Sequence, residues 1–409
     1  MVNIRKHFVL TFAALKHPNY RLWFYGQLIS LIGTWMQSTA QGILVYQLTS
    51  SATYLGLVSF ANGVPSWFLM LYGGVIADRM PRRNLLILTQ SAMMCLAFVL
   101  VILVFTNSVL PWHLIALSFL LGIANAFDAP TRLAFVAELV EKETLTNAIA
   151  LNSTMFNGAA IVGPAVAGLL YAWLGAGWCF TINGLSFVAV IIALLQMKLK
   201  LFEKPIYQNS TLEQVKEGLH YAHHHDTIRI MLITLGIISF FGAGMMALIP
   251  AWAVKVLHGD AKLNGFLFSA RGLGAVSGAL VIATLSSHNL KGKLLMLGIT
   301  TLPITLFLFA LSHWAPISIL IMVAMGSSFM LAVNTSNAIV QSLVSDKLRG
   351  RVMSIFTLIF FGFMPLGSLL LGIWADAWSE ESAVFFCGFM LLALSIFIWI
   401  FRPHLQELP

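Results

Sequence analysis

Read for polarity alone, the chain is a series of long apolar runs separated by short polar breaks. A run of roughly 20 apolar residues crosses a bilayer as a helix. These runs lack the one-in-two alternation of a barrel strand. The pattern predicts twelve helical spans, at about 20–46, 53–77, 84–106, 112–137, 145–173, 178–198, 229–254, 263–286, 293–312, 315–341, 351–376 and 383–401. Several exceed 20 residues, so tilted or protruding ends are expected. Only residues 199–228 make a long polar interruption. Inside it, TLEQVKEGLHYAHHHDTIR (211–229) predicts an amphipathic helix at the membrane face. The chain therefore divides into a six-helix half at 1–198, a cytoplasmic linker at 199–228 and a six-helix half at 229–409.

Composition agrees. Of 409 residues, 59% are hydrophobic and 9% charged, against about 25% charged in soluble domains. So few charges cannot cover a soluble surface of this size. The net charge of +8 is explained by the breaks rather than by nucleic acid. One alternate set carries Arg79, Arg82, Arg83, Lys142, Lys198, Lys200, Lys204, Lys291, Lys293, Arg349 and Arg351, while the other carries only Lys255 and Lys262. Positive charge marks the cytoplasmic side, which puts both termini there. Arg5 and Lys6 precede the first run without a cleavage-site pattern, so no signal peptide is expected. Cys95, Cys179 and Cys387 fall in apolar runs and read as buried thiols, not as a disulfide framework. His220, His223, His224 and His225 read as a solvated connector face rather than a metal site.

The halves repeat. ATYLGLVSFANG (52–63) aligns with AKLNGFLFSARG (261–272), matching Gly56 to Gly265 and Gly63 to Gly272. A second block matches Gly122, Gly158, Gly163 and Gly168 to Gly326, Gly362, Gly367 and Gly372. Two such halves are a transporter architecture with substrate held between them near mid-depth.

GGVIADRMPRRNLL (73–86) follows the second span. It resembles the cytoplasmic signature of the major facilitator superfamily, with Gly74, Asp78, Arg79, Arg82 and Arg83 at its positions. Pro81 stands where the family usually has Gly. The resemblance implies that this cluster latches the cytoplasmic side in one conformation. Gly74 is expected to let two helices approach closely. NGAAIVGPAVAGLL (157–170) resembles the Gly-Pro motif of the exporting branches, through Gly158, Gly163, Pro164 and Gly168. Pro164 removes a backbone bond and bends the helix, and the glycines are expected to pack closely. NAFDAPTRLAFVAELV (125–140) and CFTINGLSFV (179–188) extend the likeness to the branch that includes siderophore, macrolide and lysophospholipid exporters.

Ionisable residues inside spans are costly and functional by default. Asp128 and Arg132 sit four apart in span four with Pro130 between them. Asp128 fits a proton carrier or, with Arg132, a structural gate that reaches Arg79 or Arg83, and Glu138 is a further partner for that cluster. Arg271 in span eight needs a carboxylate, backbone carbonyls or an anionic substrate, and its repeat counterpart is Asn62. Gln37 and Gln41 share a helical face and are expected to line the central cavity with Asn334 and Asn337.

The sequence therefore predicts an all-α polytopic major facilitator fold in a bacterial inner membrane, acting as a monomer. The resemblance implies alternating-access export of a small amphipathic molecule (drug, macrolide, siderophore or lysolipid), coupled to protons. Uptake by proton symport, or a non-transporting binding protein on the same fold, are the alternatives. With no nucleotide loop, metal-ligand motif or nucleophile–base pair, no enzyme activity, metal, cofactor or nucleic acid partner is expected.

Overall fold

The computed structural model describes residues 12–199, 211–285 and 290–408. Lys200 and Lys204 of the linker, and Arg5 and Lys6, lie outside them. The described residues contain no strand. Twelve long helices follow one another: α1 (Pro18–Thr49), α2 (Ala52–Arg79), α3 (Arg82–Phe105), α4 (Pro111–Val136), α5 (Leu145–Leu174), α6 (Ala176–Gln196), α7 (Asp226–Val256), α8 (Ala261–Leu285), α9 (Lys291–Ala310), α10 (Ala315–Leu343), α11 (Asp346–Ala377) and α12 (Glu380–Phe401). Their ends are written locally. Pro18 and Pro111 open α1 and α4, where a missing N–H costs nothing. The Ser51 and Ser379 hydroxyls cap α2 and α12. Gly175, at φ 84°, ends α5.

Ten of these helices are long and apolar enough to cross a membrane, and α2 makes an eleventh if its segments, bent by 57°, form one span. The first expected span forms the 32-residue α1, but it is less apolar than the others. Gln27, Gln37 and Gln41 are buried within the protein, so this helix satisfies polar groups inside the bundle instead of presenting apolar ones to lipid. Helix α7 is irregular, with π-helical turns at Ile238–Ala243 and Trp252–Val256 and a 3-10 stretch at Gly244–Leu248. Gly244 lies against Gly367 of α11, and the Ser368 hydroxyl donates to the Gly244 carbonyl at 3.1 Å. Such turns re-satisfy backbone groups where neighbouring helices supply partners. The linker helix runs Thr211–His224, stopping before the expected 229, because His225 turns out of the helix to cap α7. It rests on α11, where Gly218 abuts Arg351 and Glu217 pairs with Arg351.

Within each half the packing repeats. Helix α2 packs on α4 as α8 packs on α10, α1 on α5 and α6 as α7 on α11 and α12, and α3 on α6 as α9 on α12. Between the halves, the main contacts are α2 with α11 and α5 with α8. These two seams share the same glycine–carbonyl contacts. A Cβ on Gly265 would stand 2.4 Å from the Pro164 carbonyl, and one on Gly56 would stand 2.5 Å from the Ser368 carbonyl. A Cβ on Gly168 would stand 2.7 Å from the Ala261 carbonyl, and one on Gly372 2.4 Å from the Ala52 carbonyl. The same offsets relate Gly122 against the Asn62 carbonyl to Gly326 against the Arg271 carbonyl, both at 2.1 Å. The sequence repeat is thus a repeat of helix contacts. Each pairs a side-chain-free position with a neighbour's carbonyl, the close approach that drives helix association in lipid.

Candidate functional site

Helix α4 contains Pro130, which cannot donate to the Ala126 carbonyl. A neighbouring glycine sits against that carbonyl, but it is Gly73, whose Cβ would be 2.3 Å away. Gly74, the position carrying the motif resemblance, would place a Cβ near nothing within 4 Å. The close-approach role expected of Gly74 therefore belongs to Gly73, one residue and about 100° round the helix. The same correction holds in α5. Gly163 abuts Trp35 and the Ile32 carbonyl, and Gly168 abuts α8, whereas Gly158 meets nothing within 4 Å. Pro164 orphans the Ala160 carbonyl, and Gly272 lies 2.9 Å from it, counted from a built Cβ. One turn away, the Ser269 hydroxyl donates to the Ile161 carbonyl at 2.6 Å.

At the end of the bundle where α2 meets α3, Arg82 joins two acids: Asp78 at 3.0 Å and Glu138 at 2.5 Å. Arg83 donates to the Leu195 and Met197 carbonyls at the end of α6, at 2.9 and 3.3 Å. Arg79 is exposed. The chain turns through Met80 (φ −118°) and Pro81 (φ −56°), neither left-handed, so Pro81 serves where a glycine is usual. Glu138 thus joins this cluster.

Asp128 does not reach it. Its carboxylate is 2% exposed. Oδ1 accepts from the Thr89 hydroxyl and the Gln90 amide of α3, both at 2.8 Å. Arg132 Nε lies 3.9 Å from Oδ2, longer than a charge-assisted hydrogen bond. Among the described residues neither Arg79 nor Arg83 bonds to it, and Arg83 is spent on the end of α6. Asp128 and Arg132 instead line a cavity of about 210 Å³ within the first half, together with Gln27, Trp35, Gln90 and Phe156. Two acceptors, Gln27 Oε1 and Gln90 Oε1, have no donor among the described residues. Thr89 and Gln90 are partners that sequence reading missed, since only packing brings them opposite Asp128.

Gln37 and Gln41 do not join Asn334 and Asn337. Gln37 accepts from Asn183 of α6 at 2.6 Å, and Gln41 donates to Ser118 of α4 at 2.7 Å. Both are buried inside the first half. Asn334 is exposed, and Asn337 accepts from Gln341 of its own helix at 2.5 Å. Cys179 and Cys387 are buried, but Cys95 is exposed, because its stretch of α3 lies on the bundle's outer face. Among the described residues no His, Cys, Asp and Glu side chains gather to hold a metal ion.

A further carboxylate sits at the opposite end. Asp376, at the end of α11, accepts from the Ser51 hydroxyl and from the Ala52 and Thr53 N–H groups, the latter two at 2.7 and 2.8 Å. A carboxylate from one half thus caps a helix of the other. By the repeat's offsets its counterpart is Ala172, and Asp260, the counterpart of Ser51, caps only its own helix, accepting from the Lys262 and Leu263 N–H groups. An acid at a helix N-terminus contributes about 1 kcal/mol when part-exposed. Asp376→Ala is therefore expected to loosen this end roughly fivefold in equilibrium. Labelling of Thr53→Cys by an impermeant maleimide reads the change as a faster rate, and Asp376→Glu should restore much of the protection.

Two six-helix halves related by repeat, meeting along two glycine seams, make this a transporter of the major facilitator type. The chain belongs to the transmembrane secretion effector family, whose model matches residues 9–408. Among its relatives are a staphyloferrin A transporter of Staphylococcus aureus, 25% identical over 94% of this chain and 97% of that protein; a multidrug efflux pump, Tap, of Mycolicibacterium fortuitum, 24% identical over 89% and 91%; and the enterobactin exporter EntS of Shigella flexneri, 24% identical over 98% and 96%. Solved structures with the same fold include the nucleoside transporter NupG (TM-score 0.70, 15% identity, 95% of this chain and 99% of that one) and a D-xylose-proton symporter (TM-score 0.71, 12% identity, 94% and 98%). At such identities they speak to the fold alone.

Proposed function

We propose that the protein is a proton-coupled exporter of a small amphipathic molecule, working by rocking of residues 1–198 against 229–409 about the linker 199–228. The carrying observation is that both glycine seams and the Asp376 cap lie toward the end where α2 begins and α11 ends. With both termini cytoplasmic, as the basic loops suggest, that end faces outward. The halves are then closed outside, and cargo enters from the cytoplasm or inner leaflet. Export, rather than uptake, is supported by the enterobactin exporter and the efflux pump among the relatives.

Coupling is assigned to Asp128. A cavity of about 210 Å³ is below the roughly 300–1,000 Å³ of sites that enclose a drug-sized ligand. At about 30 Å³ per water it suits a small wet chamber beside a buried carboxylate better than a whole cargo molecule. Arg132 supplies a counter-charge when Asp128 is ionised. The Arg82 cluster, part-exposed, holds the cytoplasmic end of the first half and contributes a modest share.

Proteoliposomes with an imposed proton gradient test the reading, screened with macrolides, siderophores, lysolipids and amphipathic dyes. Uptake into inverted vesicles, abolished by collapsing the gradient, is expected. Accumulation only in right-side-out vesicles would establish symport, and no flux of any bound ligand would favour a binding protein.

A further inference from the structure

We infer that Arg271 is the recognition point for a carboxylate on the transported molecule, so that the cargo is an amphipathic organic anion. The inference rests on the transport reading above and names its substrate class.

On α8, Leu273 and Leu280 are exposed at 51% and 60% and face outward. Gly265, Ser269 and Gly272 face α5. At 3.6 residues per turn, Arg271 falls on the face turned away from Leu273 and Leu280, toward the space between the halves. It is only partly accessible there. No carboxylate lies within ion-pair distance of it among the described residues, and no hydrogen bond ties down its guanidinium. The acids of the helices are committed elsewhere: Asp128 to Thr89, Gln90 and Arg132, Asp376 to the start of α2, and Glu380 to Lys255 at 2.8 Å.

What Arg271 does have is Phe329 of α10, with the guanidinium carbon 5.2 Å from the ring centroid. A ring engages the cation's flat face and leaves its N–H fork unspent. That fork matches a carboxylate in a bidentate pair. Phe360 lies 6.3 Å beyond Phe329, centroid to centroid, giving an apolar wall for the rest of an amphipathic anion. On the same face, seven residues toward the closed end, Asn264 is buried with both amide atoms unpaired.

The repeat sharpens the point. Asn62 occupies the matching place in the first half, as the twin contacts of Gly122 and Gly326 fix. Asn62 is neutral and donates to the Ser118 carbonyl at 3.2 Å. The fold therefore needs no charge at this place. A cation deep in a span without an acidic partner marks a candidate ligand site.

The test uses the full chain in nanodiscs of neutral lipid, titrated with the fluorescent carboxylate dansylglycine and, separately, with its uncharged methyl ester. Wild type is expected to bind the carboxylate about tenfold more tightly or better, the scale of a charge-assisted pair. Arg271→Gln should erase the preference by weakening the carboxylate and sparing the ester, and Arg271→Lys should keep part of it. Nanodiscs with added phosphatidylglycerol check the other source of anions: competition there would assign the site to a lipid headgroup and overturn the cargo assignment. It is also overturned if wild type shows no binding of dansylglycine, no preference over the ester, or a preference that survives Arg271→Gln. The wild-type comparison stands even if a variant does not fold. Flux is read separately. Gradient-driven movement of neutral amphipaths without anion preference keeps the transport reading and removes this one. Anion preference in binding without any flux does the reverse.

Discussion

Gly265→Val is expected to abolish most transport while leaving the protein folded in the membrane. The glycine sits where a Cβ would be 2.4 Å from the Pro164 carbonyl and 3.0 Å from the Gly168 Cα. These are backbone atoms, which cannot rotate aside as a side-chain tip can. Overpacking of this kind costs about 1–3 kcal/mol. Because the strain exists only when α5 and α8 are together, it falls on the seam between the halves and not on the fold of either half. A penalty of that size shifts the equilibrium toward separation of the halves at this seam about 5–150-fold. Transport should fall by a comparable factor, read as initial flux in proteoliposomes, and Thr53→Cys should label faster. Gly56→Val, its partner in the repeat, meets the Ser368 carbonyl at 2.5 Å and should behave alike. Gly74→Ala and Gly158→Ala meet nothing within 4 Å and should change flux little. If all four variants behave alike, the seams do not control the cycle.

Asp128→Asn is expected to uncouple transport from the gradient. The amide oxygen can still accept from Thr89 and Gln90, so the local fold survives. The charge opposite Arg132 and the exchangeable proton are both lost. Gradient-driven flux should drop about 100-fold, the scale of a positioned proton-transfer group, while downhill exchange of cargo persists. Asp128→Leu is the harsher variant, since it also strands the Gln90 amide at about 1–3 kcal/mol, while the Thr89 hydroxyl keeps the Leu86 carbonyl at 3.1 Å. Unchanged gradient-driven flux in Asp128→Asn would remove Asp128 as the proton carrier.

Some of the site was open to sequence reading. The acid–base spacing of Asp128 and Arg132 put both on one face of one helix, because i and i+4 are neighbours on any α-helix. Glu138 was placed near the loop arginines because charge collects at that membrane edge. Gly74 and Gly158 show the limit. A motif fixes a neighbourhood along the chain, but whether a glycine touches another helix depends on helix rotation, which one residue changes by about 100°. Gln37 and Gln41 shared a face as expected, yet that face turned toward α4 and α6 and not toward the space between the halves. Asp376 was visible only as an acid near a helix end. Its partners at Ser51, Ala52 and Thr53 are more than 300 positions away.

The sequence by itself determined the helical class, the repeat and the family likeness. In a bilayer each span must satisfy its own backbone, so apolar length alone specifies a helix. It did not determine which faces meet. Lipid is as apolar as leucine, so hydropathy cannot rank one apolar face over another. Tertiary structure made that choice through carbonyl and glycine geometry at the seams. The same packing gave Asp128 its two donors, gave Asp376 the start of α2, and left Arg271 beside a ring without an acid.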